Sequence, residues 1–332
     1  MSFILGVDTG GTYTDAVILE NEERIIAFSK ALTTHSDLSI GIGAAIQKAV
    51  IQKNIDPEKI SLVSLSTTLA TNALVEGQGD RVALVMSGFK ESDLEKHAII
   101  DALKGDPFLV TKGGHNYAGY QNSPLDKDKL AKWVSKVEGV SAYAVCSQFA
   151  VRNPEHELQA AEIIRELTGR PVSLSYQLSA KLNGPKRALT AILNARLIGL
   201  IDLLIIKAED VIKNLGIMAP MMVVRGDGAL ISAEQAREKP IETILSGPAA
   251  SLVGARWLTD ESDAIVSDIG GTTTDIAVLR GGKPAIDPKG ASVGPYRTMV
   301  EAVAMYTFGL GGDSEVNLKQ GGLDGDILLG PK

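Results

Sequence analysis

Val7–Leu19 reads VDTGGTYTDAVIL, and Ser267–Leu279 reads SDIGGTTTDIAVL. The leading aspartate, the glycine pair, the threonines and the second aspartate recur in register, so that Asp8 returns as Asp268. Each copy follows an apolar stretch (Phe3–Val7; Ala264–Val266) and precedes a second one. A turn at Asn21-Glu22-Glu23 or Gly281-Gly282 then leads into a third short segment. The pattern reads as strand, glycine-threonine turn, strand, tight turn, strand. Two copies this far apart in one chain predict two related lobes.

Between the copies, strand-like and helix-like segments alternate, as α/β units on mixed or parallel sheets require. Ser61–Ser66, Arg81–Met86, Ser141–Val145 and Met221–Val224 are short and apolar enough for buried strands. Asp37–Ile51, Leu125–Val137, Pro154–Leu167 and Ser246–Leu258 fit helices. The longest expected helix starts at Asn183-Gly184-Pro185, with an N-cap and an early proline, and runs to about Asn214-Leu215-Gly216. Leu189, Leu193, Leu197, Leu200 and Leu204 recur on one of its faces, and it is expected to open the second lobe. The division falls near Ser179–Asn183, giving a first lobe over 1–180 and a second over 181–332, the second expected to be truncated at its C-terminus.

The chain has 332 residues, 45% hydrophobic and 22% charged, enough for two folded domains and unlike a disordered chain. Its 33 Lys and Arg against 40 Asp and Glu leave a formal net charge of −7. That balance sets no basic field for nucleic acid or anionic lipid, and neither is expected as a partner. The apolar run Leu197–Ile206 is broken by Asp202 and reads as a buried helix face, so no membrane association is expected. Cys146 is the single cysteine, which excludes an internal disulfide. With no basic lead or long apolar stretch at Met1–Asp8, a cytoplasmic location is the expectation.

The duplicated turn has the chemistry of a polyphosphate cradle. Paired glycines let the backbone come close to oxygens and aim N–H groups at them, and threonine hydroxyls add donors. Gly10, Gly11, Thr12, Gly270, Gly271 and Thr272 are those donors. Asp8 and Asp268 cannot face phosphate unaided, so a divalent cation is expected between them and the phosphates, with Mg²⁺ the default. A plain β-hairpin explains one such turn, but the repetition of the whole pattern favours the phosphate reading. No Walker A sequence is present, and Gly41–Ile46 lacks the last small residue of a dinucleotide fingerprint.

Phe308–Ser314 (FGLGGDS) follows the second turn. Alone it reads as a loop with a helix cap; its order after the paired turns suits the approach of Gly309, Gly311, Gly312 and Ser314 to a base or ribose. Ser66–Leu74 (STTLATNAL) should start a helix after a strand and could turn Thr67, Thr68 and Asn72 toward a substrate, or be an ordinary cap. Lys104–Leu125, with Gly113–Tyr120 at its centre, is either a substrate loop or an exposed insertion. Among four histidines without metal spacing, His115 is the candidate ligand or acid–base group. Lys181, Lys186, Arg187 and Arg196 read as a solvated helix face.

Together these elements resemble the actin, sugar kinase and heat-shock chaperone ATPases, whose two duplicated lobes close over a nucleotide. More closely, the chain resembles the hydantoinase/oxoprolinase family along essentially its whole length. The matching segments are the two turns, STTLATNAL, NPEHE at Asn153–Glu157, TAILNA at Thr190–Ala195 and LSGPAA at Leu245–Ala250. The resemblance implies an α/β, ribonuclease H-like duplicated fold with mixed sheets flanked by helices. It implies ATP-dependent opening of a small cyclic amide, a hydantoin or 5-oxoproline, with ATP and Mg²⁺ as cofactors. Asp8 and Asp268 would serve metal and chemistry, and Thr14 and Thr273 would join the nucleotide set. A companion hydantoinase B-like subunit in a homo- or hetero-oligomer is implied as well. Ketone carboxylases resemble the same family, so carboxylation is one alternative, and a nucleotide-dependent conformational module without a small substrate is another. Many family members carry an Arg-Pro segment where this chain has Gly113–Tyr120, which leaves the substrate open. Family polypeptides are usually longer, so further catalytic parts are expected beyond Gly330-Pro331-Lys332.

Overall fold

The computed structural model describes residues 2–271, 273–318 and 327–331. In Phe3–Thr9 (β1) every second residue is buried, with Phe3, Leu5 and Val7 turned inward, and in Tyr13–Glu20 (β2) Ala16 and Ile18 do the same. This is the period-two burial of strands packed on one side of a core. β1, β2 and Arg24–Leu32 (β3) form an antiparallel meander, and β1 pairs in parallel with Ile60–Thr67 (β4). The helix Leu38–Gln52, capped by Asp37 through its bond to the Ser39 N–H, sends Ile42, Ala45, Ile46 and Ala49 into the same core.

After β4 the chain leaves this sheet and builds a second one from Val82–Ser87 (β5), Phe108–Thr111 (β6), Ala142–Ser147 (β7) and Val172–Leu174 (β8). All are parallel, in the order β6-β5-β7-β8. β5 and β7 are buried at every position, as continuous apolar strands must be when helices cover both faces. Ala83, Val85, Tyr143 and Val145 face Leu130, Val134, Ala161 and Ile164 of the outer helices. Leu84, Met86, Ala144 and Cys146 face the long helix Gly184–Asn214. The chain then returns to the first sheet with Met221–Val224 (β9) and Leu230–Ser232 (β10), completing the order β10-β9-β4-β1-β2-β3.

The long helix begins as its sequence predicts. Asn183 Oδ1 accepts the Lys186 N–H at 3.1 Å, and Pro185 occupies the first turn, where its missing N–H costs nothing. An 18-residue window of it is apolar enough to cross a membrane, but 67% of that window is buried inside the protein, which accounts for its apolarity. Its position differs from the sequence expectation. Rather than opening a second lobe, it packs against β5 and β7 and against the helix Leu38–Gln52, joining both sheets in one core. The six-stranded sheet accordingly draws strands from both sides of residue 180.

The solvated basic face is corrected as well. Lys181 remains exposed, reaching Glu301 at 3.6 Å, but Arg187 and Arg196 are buried. Arg196 donates to the carbonyls of Asp80, Ala102 and Leu103 and meets Asp106 at 2.7 Å. Arg187 donates to Ser147 O at 3.1 Å and Ser175 Oγ at 3.3 Å. A guanidinium can be buried where carbonyls and a carboxylate take its fork of N–H groups, a partnership that sequence spacing does not display.

Near the C-terminus, Ala264–Ile269 (β11) and Thr274–Arg280 (β12) form an antiparallel hairpin. β12 also pairs with Lys283–Pro284 and Met305–Phe308. The helix Ser246–Thr259 lies on one face of this sheet, where Ala249, Leu252, Ala277, Leu279 and Val303 form a small core. The result is an α/β fold of mixed sheets flanked by helices, as read from the sequence.

The Asp106–Arg196 pair gives a test of this architecture. Asp106→Ala leaves the guanidinium buried without its counter-charge and should lower stability by about 3–5 kcal/mol, read from the shift in urea midpoint.

Candidate active site

The two glycine-threonine turns have the same geometry. In the first, Gly10 N–H donates to Tyr13 O at 3.0 Å and Asp8 stands opposite Asp15 across β1 and β2. In the second, Gly270 N–H donates to Thr273 O at 2.9 Å and Asp268 stands opposite Asp275 across β11 and β12. Gly11 and Thr12 form the exposed tip of the first turn. Thr33 braces it, its N–H donating to Thr12 O and its hydroxyl to Gly10 O, both at 2.9 Å. Thr14 is fully buried and bonded to the Thr33 hydroxyl at 3.0 Å, so it braces the turn from within and does not face the cleft. Thr272 lies outside the described residues, while Thr273 lines a cavity described below.

Asp8 and Asp268 come from opposite ends of the chain, yet each lies in the other's electrostatic reach. Burial holds the Asp8 carboxyl above the ordinary carboxylate range, the Ser66 hydroxyl donates to it and pulls the other way, and the charges of Asp15 and Asp268 push it further up. Lys30 opposes them, and it also pairs with Asp15 at 3.2 Å. Ser251 Oγ donates to Asp268 at 3.0 Å. No three carboxylate, histidine or cysteine groups converge as a complete metal cage among the described residues. Two carboxylates with neighbouring hydroxyls are instead the hard oxygen set that Mg²⁺ uses when water and substrate phosphate fill the rest of its shell. The mutual repulsion is what such a cation would relieve.

The third glycine element docks on the second turn. Gly312 and Asp313 give their N–H groups to Gly270 O at 2.9 Å and Gly271 O at 2.8 Å, and Thr274 Oγ1 donates to Leu310 O at 2.6 Å. Gly311 N–H donates to Ser314 Oγ at 2.9 Å. A side chain on Gly311 would collide with the Gly271 carbonyl, so glycine is required there by a backbone approach. Gly309 is exposed beside it.

Between the halves lies a cavity of about 430 Å³, walled by Thr68 and Asn72 on one side and by Thr273, Asp275 and Thr307 on the other. The helix Leu69–Val75 is fixed there from the far side of the chain. Ser246 Oγ donates to Thr67 O at 2.9 Å and accepts its N–H at 3.3 Å, and Leu245 N–H donates to Thr71 Oγ1 at 2.9 Å. Leu245 adopts a left-handed φ of 60° to make this junction, a cost offset by the bonds it closes. A Cβ on Gly247, which lines the cavity, would stand 3.5 Å from Thr68 Cγ2 and 3.9 Å from Asp8 Oδ1, so the Asp8 carboxylate lies close behind that part of the wall.

Of the residues expected to meet substrate, Thr68 and Asn72 line the cavity, whereas Thr67 is buried and its hydroxyl accepts the Leu69 N–H at 3.1 Å. His115 sits in the inserted unit. Its backbone partners are Gln148 and Asn122, and its ring lies 4.3 Å from that of His156, which accepts the Gly114 N–H at 2.9 Å. Asp275, Thr307 and Ser251 were not singled out by sequence reasoning. Asp275 closes the second copy of the repeated motif, which was the available signal.

Residues 4–168 match the hydantoinase/oxoprolinase N-terminal region and residues 187–326 match the hydantoinase/oxoprolinase region, and the chain belongs to this family. Caprolactamase subunit alpha from Pseudomonas jessenii is 26% identical over 353 residues, covering 99% of this chain and 50% of that protein. The crystal structure of the ATP-dependent caprolactamase superposes with a TM-score of 0.83 at 25% identity, over 99% of this chain and 50% of that one. 5-oxoprolinase 1 from Arabidopsis thaliana is 26% identical over 330 residues, 82% of this chain and 25% of that protein. Nucleotide-free acetone carboxylase shares the fold, with a TM-score of 0.79 at 22% identity, over 99% of this chain and 50% of that one. The chain thus spans half or less of the length of these relatives.

The carboxylate cluster carries a stability signature. A carboxyl whose folded pKa is raised contributes most below its unfolded value near 3.8 and loses that contribution as pH rises through the folded value. Asp8→Asn removes the titration but keeps a partner for Ser66. It should raise the urea midpoint at pH 7 without Mg²⁺, and the gain should vanish below about pH 4. Equal midpoints at pH 7 would show that Asp8 carries no electrostatic cost.

Proposed function

We propose that the protein binds Mg²⁺-ATP between its two glycine-threonine turns and uses it to open a small cyclic amide. The observation that carries this reading is the pair Asp8 and Asp268, presented by two copies of one turn within electrostatic reach of each other. Transfer of the γ-phosphoryl group of ATP to the amide oxygen, with release of ADP, would activate the carbonyl carbon for attack by water. The tetrahedral adduct then expels the protonated ring nitrogen, breaking the C–N bond, and the acyl phosphate left behind is hydrolysed by a second water to the ring-opened acid and phosphate. Asp8 and Asp268 hold the cation that screens the phosphates, with Ser66 and Ser251 fixing the two carboxylates. The exposed tips at Gly11 and Gly271 offer backbone N–H groups to phosphate oxygens. Thr68 and Asn72 face the cavity where the amide is held. Kinship with a caprolactamase subunit and a 5-oxoprolinase supports this chemistry, and the first of these being a subunit supports a companion polypeptide.

ATP-dependent carboxylation of a ketone is the second reading, favoured by the kinship with the gamma subunit of acetophenone carboxylase, 26% identical over 311 residues. Mg²⁺-ATP hydrolysis by the full-length gene product, with any co-encoded partner, separates the two. Stimulation by a hydantoin or lactam with release of the ring-opened product supports amide opening, and stimulation by a ketone with bicarbonate moves the assignment to carboxylation. ATP binding without stimulation by either would leave a conformational module. Asp8→Ala or Asp268→Ala should each lower Mg²⁺-dependent ATP turnover by about 100-fold or more with the circular dichroism spectrum intact. Full activity in both would remove the proposed metal–phosphate site.

A further inference from the structure

The cavity between the helix Leu69–Val75 and the β12 sheet carries, among the described residues, a single ionisable side chain on its wall. The repeat places a second aspartate in each hairpin, Asp15 and Asp275, but their surroundings differ. Asp15 is neutralised by Lys30 at 3.2 Å, and that ammonium also lies 4.8 Å from the centre of the Tyr13 ring. Asp275 takes a hydroxyl bond from Thr307 at 2.7 Å and faces the cavity, with Asp268 opposite it on β11. Among the described lining residues Asp275 is the one ionisable group; the rest are hydroxyl and amide side chains with an apolar wall of Val75, Val293 and Met305.

A carboxylate has more acceptor capacity than the single Thr307 bond uses, so Asp275 can accept one further N–H from a ligand in the cavity. The same charge opposes a second anion brought close to it in a partly desolvated site. The apolar wall adds favourable contact with ring methylenes and nothing for a carboxylate. We propose, building on the amide-opening reading above, that this cavity selects an uncharged lactam over a carboxylate-bearing cyclic amide, with Asp275 accepting the ring N–H and acting as the specificity-determining charge.

A pair of rings differing by a single carboxylate, pyrrolidinone and 5-oxoproline, tests this. Their affinities for the full-length protein, with any co-encoded partner, Mg²⁺ and a non-hydrolysable ATP analogue, are measured by ligand-observed saturation-transfer NMR, so that binding is read without turnover. Pyrrolidinone should bind at least about tenfold tighter. Asp275→Asn should narrow that ratio by about fivefold or more, chiefly by improving 5-oxoproline, while Asp15→Asn leaves the ratio unchanged because Lys30 already balances that charge. Equal or tighter binding of 5-oxoproline overturns the proposal, as does a ratio indifferent to Asp275→Asn or a lack of binding by either ring. Loss of the nucleotide analogue itself in Asp275→Asn would place Asp275 at the metal and overturn it too. Selective binding of pyrrolidinone without ATP turnover would support the cavity assignment while removing the amide-opening reading, so the two fail separately.

Discussion

Asp8 and Asp268 repel one another across the cleft, and much of the surrounding structure serves to hold them there. Each ends a strand whose partner, bonded residue by residue, fixes where the carboxylate can point. Around Asp8 the turn is braced from below by Thr14 and Thr33, while the parallel neighbour β4 delivers Ser66 to the carboxylate. The second half reaches the first through Ser246 and Leu245, whose bonds to Thr67 and Thr71 set the width of the gap. A like-charged pair kept apart by such rigid elements would need little further reorganisation to take the cation proposed above.

The duplication is imperfect, and its asymmetry divides the labour. The first hairpin is set into a six-stranded sheet with alternate residues buried, whereas β11 is largely exposed and rests on one helix and a small core. The second copy brings the cavity-facing Asp275 and Thr307, with the turn Gly309–Ser314 clasped to its glycines. Equivalent positions in the repeat therefore do different things because their neighbours differ: Lys30 beside Asp15, Thr307 beside Asp275.

Much of this was legible in the amino-acid order because it is local. Asp37 and Asn183 cap their helices, and the runs expected as buried strands form β4, β5, β7 and β9, with only Arg81 and Ser141 falling just ahead of their strands. The repeated turn was legible because its residues are contiguous. What stayed hidden depends on distant partners. Arg187 and Arg196 resemble a solvated face until carbonyls from other segments gather around them. Thr14 carries the same letter as an exposed turn threonine, and only the approach of Thr33 shows that it points inward. His115 looked like a site residue because glycines surround it, yet those glycines serve the close approach of Gly88 and Gly113 in the inserted unit. The long helix was placed correctly along the chain and differently in space, since periodicity identifies an apolar face without saying what it will meet.

The order β10-β9-β4-β1-β2-β3 also bears on how the chain reaches its native state. β4 waits for β9 across the whole inserted unit, so this pairing closes a very long loop and forms few local contacts. The parallel strands β5–β8 and their helices lie close together in sequence and can condense earlier, shortening the effective distance that β9 must bridge. During synthesis the edge of β4 stays unpaired until residue 224 has emerged, and an open parallel edge is a template for the wrong partner. The same insertion that supplies most of the buried core thus delays completion of the central sheet beyond that of the unit inserted into it, and leaves that sheet in need of protection until then.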